Sequence, residues 1–392
     1  MSEKITFVPV SFTGWNSLSH LAEQVSQFGV KKILLVTDPF LKEIGLTDKV
    51  VAPLMEAGYI IDIYTDIVPE PPLVIGEKLV AHTREFQYEM VIGVGGGSAL
   101  DLSKLAAVLA VHEGNVADYL NLTGTKRITK KGLPKILIPT TSGTGSEVTN
   151  ISVLSLETTK DVVTHDYLLA DVAVVDPALT ISLPPKVTAA TGIDALTHAV
   201  EAYVSKNASP VSDAFALQAI RLISGSIRTA VSNGDDQQAR TNMSYGSYLA
   251  GLAFFNAGVA GVHALAYPLG GQFHIAHGES NAVLFPYVMG YIRQSCEKRM
   301  IDIYKAMGFS TNNLSQLEAS YKCVAELKRL VEEINIPSTL RGFKIPEDAL
   351  ERLTNDAIEQ KRLLARSPMP LEKKDIYRIY KAAYDGIIED QS

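Results

Sequence analysis

Residues 89–110, EMVIGVGGGSALDLSKLAAVLA, decide the fold. They read as a buried β-branched strand, a three-glycine turn and an apolar helix starting near Ser98, with Ser98 as its cap, which is the order of a βα unit. Outward from this stretch, short β-branched runs recur at KKILLVTD (31–38), YIIDIYTD (59–66), KILIPTT (135–141) and ADVAVVDP (170–177). Helical patterns at 50–57 and 73–86 separate the first of them. Such alternation implies a mostly parallel sheet covered by helices. Residues 151–170, ISVLSLETTKDVVTHDYLLA, alternate loosely between apolar and polar and predict a hairpin instead of a crossover helix.

After Leu183 the character changes. Patterns of period 3.6 run over 189–205, 212–230, 235–255 and 317–334. The consecutive prolines 184 and 185 disfavour any element crossing them, so the expected organisation is an α/β domain over 1–183 and an all-α domain over 184–392. In an open parallel sheet a ligand sits outside the carboxyl ends of the strands, and the active site is expected there, between the two domains.

Composition narrows the function class. Of 392 residues 46% are hydrophobic and 20% charged, with a net charge of −7 and no lysine or arginine cluster. Neither nucleic acid nor an anionic membrane suits that surface, so small molecules are the expected partners. No apolar run approaches the roughly 18 residues of a membrane span, and the start MSEKITFVPV lacks a basic leader with an apolar core, which predicts a cytoplasmic location. Cys296 and Cys323 are the only cysteines, too few for a thiolate metal site. Any metal must use His, Asp or Glu.

The turn Gly95-Gly96-Gly97 permits close approach of an anion to the free N–H groups of the following helix, a pyrophosphate site; by itself it is equally a tight βα turn. It is not the common dinucleotide fingerprint, because GVGGGS replaces G-x-G-x-x-G and no acid follows about 20 residues on. The suitable acid lies upstream. Asp38 ends a strand and can accept hydrogen bonds from both ribose hydroxyls while repelling a 2′-phosphate, favouring NAD over NADP, although followed by Pro39 it also reads as a helix cap. PTTSGTGSE (139–147) is a second turn of hydroxyls and glycines at a strand's carboxyl end.

Two spacing signals point to a metal. Asp194 and His198 stand four apart on a predicted helix, hence on one face, with Glu201 a turn further on; such a pair is as often simply hydrogen-bonded. His263, His274 and His277 crowd into fifteen residues of a chain with eight histidines. Pro268 and the Gly270-Gly271 pair are expected to break the helix between them and fold the imidazoles back on each other. A mixed imidazole and carboxylate set suits Fe(II) or Zn(II) over calcium or magnesium.

Taken together, GGGSALDLSK, PTTSGTGSE, DPALTISLPP, GIDALTHAVEAY and HALAYPLGGQFHIAHG resemble the iron-dependent, or group III, alcohol dehydrogenases, in the family's order and across nearly the whole chain. The resemblance implies that 1–183 is a dinucleotide-binding domain and 184–392 a metal-binding one, with NAD(H), a divalent metal, Fe2+ with Zn2+ as the other candidate, and a homo-oligomer, commonly a dimer. It maps the metal ligands onto Asp194, His198, His263 and His277. Cofactor contacts map onto Asp38, Gly95, Gly96, Gly97, Ser98, Asp101, Thr140, Thr141, Thr149 and Lys160, with Glu70 bordering the cofactor.

Three positions, in two segments, depart from the family's pattern. Tyr267 stands where many members have a histidine near the substrate, and an unperturbed phenol, titrating near about 10, is a different acid from imidazole. Glu70 and Pro72 stand where the family often has Asn and Thr. The form HALAYPLGG followed by FHIAHGESN is similar to the branch containing 4-hydroxybutyrate dehydrogenases. The implied reaction is reversible hydride transfer between a primary alcohol or hydroxyacid and NAD+, with Tyr267 and His274 as candidate proton carriers. The alternative is a metal- and NAD-dependent lyase or cyclase of the dehydroquinate synthase type.

Overall fold

The computed structural model describes residues 4–156 and 160–388. Its strands are β1 (Val10–Thr13), β2 (Lys32–Val36), β3 (Ile60–Tyr64), β4 (Met90–Gly95), β5 (Lys135–Pro139), β6 (Ile151–Ser155), β7 (Lys160–Thr164) and β8 (Val172–Val175). Six of them form one sheet in the order β1-β8-β5-β4-β2-β3, with every pairing parallel. Strand β4 is buried along its whole length, as a central parallel strand must be when helices cover both faces. Leu34 and Val36 of β2 join the core on one face, while Ile33 and Leu35 join the core on the other.

The chain divides into one unit from Thr6 to Ser182 and a second from Leu183 onward, to which Lys4 and Ile5 also belong rather than to the expected α/β domain. In the first, β6 and β7 form the expected antiparallel hairpin; its tip, 157–159, lies outside the described residues. β1 is an addition, since VSFT is too short to carry a period and becomes a strand by pairing with β8. Register places Gly95 opposite Pro139 and Val36 opposite Gly93, so the carboxyl ends of β2, β4 and β5 lie side by side. Asp38 and both glycine-bearing turns therefore leave the sheet at one level.

The second unit is helical. Helices Pro185–Val204, Pro210–Ser232, Gln237–Ala257, Gly261–Phe273 and His277–Ile292 share one apolar core with those that follow. The expected break at Pro268 and Gly270-Gly271 does not occur: all three lie inside the helix Gly261–Phe273. Pro268 leaves Ala264 without its usual helical donor, while Tyr380 Oη supports the next carbonyl, Leu265 O, at 2.6 Å. The helix ends instead at His274, held in the left-handed region at φ 53°, and three residues later, at His277, the next helix begins. No single described helix is long and apolar enough to cross a membrane; the pair Gln237–Ala257 and Gly261–Phe273 passes only jointly, bent by 105°, and both pack into this core.

Candidate metal centre and cofactor turns

Within the helical unit, Asp194, His198 and Glu201 lie on one face of Pro185–Val204. His263 comes from the start of Gly261–Phe273 and His277 opens His277–Ile292. One donor atom from each of Asp194, His198, His263 and His277 lies within 4.8 Å of all the others. The Nε2 atoms of His198, His263 and His277 stand 4.0, 3.8 and 3.7 Å from Asp194 Oδ1. Donors each about 2.1 Å from a shared ion take nearly this mutual spacing, so the set fits a divalent first-row metal.

Burial would raise the Asp194 carboxyl, but the three imidazoles and an amide hydrogen bond from Asn281 outweigh it and hold it below the usual range. The side chains of Asp194, His198 and His263 are almost wholly enclosed, whereas that of His277 is 30% exposed, which marks the open side of the group. Phe254 stacks on the His198 ring with centroids 4.3 Å apart. Tyr267 lies half-buried beside His277, at 6.1 Å between ring centroids. His274 is exposed, and its backbone makes the reversal between the two ligand-bearing helices.

Two polar neighbours escape a reading by spacing. Asn281 Nδ2 stands 2.7 Å from Asp194 Oδ1, 3.1 Å from His263 Nε2 and 3.3 Å from His277 Nε2. Its position four residues after His277 was the available signal. Glu201, visible as the third member of the Asp194 face, meets His263 Nδ1 at 2.5 Å.

In the α/β unit, helix Gly97–Leu109 starts one residue before Ser98, with Gly96 as its cap. Ser98 Oγ instead accepts the Glu70 N–H at 3.1 Å. Gly95 has φ 151°, and a Cβ on Gly97 would lie 2.7 Å from Thr144 Cγ2, so the first turn can pack against the second only without side chains. Thr140 N–H donates to Gly95 O at 3.0 Å, and Thr141 lies against Gly96. Asp38 caps the short helix Pro39–Glu43 through Oδ1, at 2.9 Å from Leu41 N. Its Oδ2 lies 3.6 Å from where a Cβ on Gly95 would stand. The cap and the ribose acceptor are thus compatible, one oxygen for each.

Glu70 adopts a left-handed φ of 49° and pairs with Lys160 at 3.1 Å. Asp101 is enclosed: Oδ1 accepts from Ser146 Oγ at 2.5 Å and Lys104 Nζ at 2.9 Å, and Oδ2 from Val153 N at 2.9 Å. Lys104 also reaches Ser146 O and Thr149 Oγ1. Burial lowers the Lys104 ammonium against the pull of Asp101, and burial pushes the adjacent Glu147 carboxyl up to about 7.

Residues 9–177 match the model for iron-containing alcohol dehydrogenase, and residues 188–384 that for the C-terminal part of the Fe-containing alcohol dehydrogenase family. The chain is 71% identical to long-chain-alcohol dehydrogenase 1 of Geobacillus thermodenitrificans over 98% of each protein. Among solved structures it resembles a 1,3-propanediol oxidoreductase (TM-score 0.94, 38% identity, 98% of this chain and 100% of that one). It also resembles a sulfoacetaldehyde reductase from Bifidobacterium kashiwanohense in complex with NAD+ (TM-score 0.87, 27% identity, 98% and 99% covered). With both halves matched and a four-donor group in the second, the chain belongs to the iron-containing alcohol dehydrogenase family.

Proposed function

We propose that this enzyme interconverts primary aliphatic alcohols, longer chains foremost, and their aldehydes with NAD(H), using a divalent ion, Fe2+ or alternatively Zn2+, held by Asp194, His198, His263 and His277. The observation that carries the proposal is the convergence of those four donors from three helices. When bound, the ion supplies Lewis-acid stabilisation of alkoxide or carbonyl oxygen, and the nicotinamide accepts or gives hydride. The chain's own residues hold, orient and screen. Enclosure of Asp194, His198 and His263 keeps water from three sides, and the exposed edge of His277 is the entry for substrate. Tyr267, beside that edge, is the better placed of the two proton-carrying candidates, His274 being turned to solvent. The Gly95 to Ser98 turn offers backbone N–H groups to a pyrophosphate, and Asp38 Oδ2 serves the adenosine ribose. Thr140, Thr141, Thr149, Asp101, Glu70 and Lys160 complete the surroundings of the cofactor.

The long-chain substrate rests on the 71% identical relative, which weighs more than the branch resemblance to hydroxyacid enzymes. The lyase or cyclase alternative is not favoured, because the relatives reported above are named as an alcohol dehydrogenase, a propanediol oxidoreductase and an aldehyde reductase. A cytoplasmic homodimer is part of the same proposal, the dimer supported by the edge strand β1, where Val10 stays exposed; sedimentation velocity checks the dimer. The deciding experiment is an anaerobic NADH-oxidation screen of alkanals and semialdehydes with Fe(II)- and Zn(II)-loaded protein. Long alkanals should lead; preference for an acidic semialdehyde would return the substrate to the hydroxyacid branch. His263→Ala should lose metal and turnover together, and an active metal-free variant would overturn the assignment.

A further inference from the structure

Glu201 is fully buried and takes no part in the donor set, yet a carboxylate in such a place needs partners. Its Oε1 accepts the Val262 N–H at 2.6 Å and its Oε2 meets His263 Nδ1 at 2.5 Å. Val262 lies in the first turn of Gly261–Phe273, where N–H groups have no helical acceptor and the dipole favours an anion. His263 Nε2 faces the donor group, 3.8 Å from Asp194 Oδ1, so ligation needs its lone pair there and leaves the ring proton on Nδ1, where Glu201 Oε2 accepts it. Asn281 Nδ2, which can only donate, stands 2.7 Å from Asp194 Oδ1 and 3.1 Å from His263 Nε2, an arrangement that fits the same tautomer.

We propose that Glu201 is a positioning residue that fixes the tautomer and ring direction of His263, and through it how tightly the tetrad retains its ion; this rests on the metal reading given above. Both of Glu201's partners are donors, and that makes the isosteric amide a sharp probe. In Glu201→Gln one of the two donors must face an NH2 group. If it is Val262, a buried N–H loses its acceptor; if it is His263, the ring is driven to the Nε2–H form, whose lone pair points away from the tetrad. A carboxylate alone satisfies both.

The test uses zinc-loaded protein. Nitrogen-15 NMR of histidine-labelled wild type, assigned with His263→Ala, should show the His263 proton on Nδ1. Competition with a chelator should show Glu201→Gln holding Zn(II) about 10–100-fold more weakly, with NAD affinity, read by fluorescence, unchanged. Glu201→Asp, which keeps the acceptor-only head, should recover part of the loss. Zinc affinity within twofold of wild type in Glu201→Gln, or a His263 proton on Nε2 in wild type, overturns the proposal. Should the amide variant fail to fold, Glu201→Asp decides in its place: zinc affinity within twofold of wild type there overturns the proposal. If His263→Ala retains zinc, the tetrad itself falls instead.

Discussion

Adding one methyl group at Gly278 should loosen the metal without touching a ligand. Gly278 is the second residue of His277–Ile292, and a Cβ there would lie 2.1 Å from Ala190 O and 2.7 Å from Ala190 C. Both are backbone atoms of the helix that carries Asp194 and His198, so no side chain can rotate out of the way. Ordinary contact requires 3.4 Å or more, and the two segments must part by roughly an ångström to reach it. The shift passes to the preceding residue, His277, whose Nε2 stands 3.7 Å from Asp194 Oδ1. Metal ligation tolerates deviations of only about 0.2 Å. Gly278→Ala should therefore weaken zinc retention at least tenfold, and overpacking of this kind costs about 1–3 kcal/mol, a fall of several degrees in thermal midpoint. Chelator competition and calorimetry read the two effects. A variant with zinc affinity within threefold of wild type and an unchanged midpoint would show that the helices are not held at this distance by backbone contact.

Two further perturbations address the α/β unit. Burial lowers the Lys135 ammonium to about 8, with Asp171 opposing, so between about 8 and 10.5 the unfolded chain binds the extra proton and stability rises with pH. Lys135→Met removes that charge while Asp171 keeps Lys131 at 2.7 Å and the residue-135 N–H at 3.0 Å. The variant should be more stable at pH 7 by up to about 3 kcal/mol, the advantage closing near pH 10.5; denaturant titrations across that range would refute this with a pH-independent gap. Asp38→Ala removes the cap on Leu41 N, costing about 1 kcal/mol, and also the charge that repels a 2′-phosphate. The ratio of kcat/KM for NAD over NADP should fall at least tenfold, and an unchanged ratio would remove Asp38 from the ribose site.

The sheet was legible because its evidence is local: β-branched runs bounded by turns repeat at the spacing of βα units, and β2, β4, β5 and β8 follow them. β1 was not, since four residues acquire strand character only from their partner. The reversal after Phe273 was misplaced because Pro and Gly are read as breakers, while the helix core tolerates Pro268 and the chain turns at a histidine in the left-handed region. The metal ligands appeared as two unrelated pairs. Nothing in spacing could join helices separated by some sixty residues, and the resemblance did so before geometry. Glu201 showed as the third member of the Asp194 face and Asn281 stood four residues after His277, but what each does depends on buried partners that spacing cannot supply.

Asp101 illustrates the difference between a motif and a contact. Mapped by resemblance to the cofactor's surroundings, its carboxylate is engaged by Ser146, Lys104 and Val153, which belong respectively to the second turn, to its own helix and to the hairpin strand β6. Lys104, in turn, spends its donors on Asp101, Ser146 O and Thr149 Oγ1. Each ion neutralises the other where water cannot, and removing either would leave an uncompensated buried charge, a loss of about 3–5 kcal/mol. The Asp and Lys of GGGSALDLSK are thus three apart because one helical turn brings both beneath PTTSGTGSE, and the two segments form a single strut. That strut fixes the spacing between Gly97 and Thr144, where even one Cβ would not fit, so in the proposed cofactor site Asp101 acts through the glycine turn.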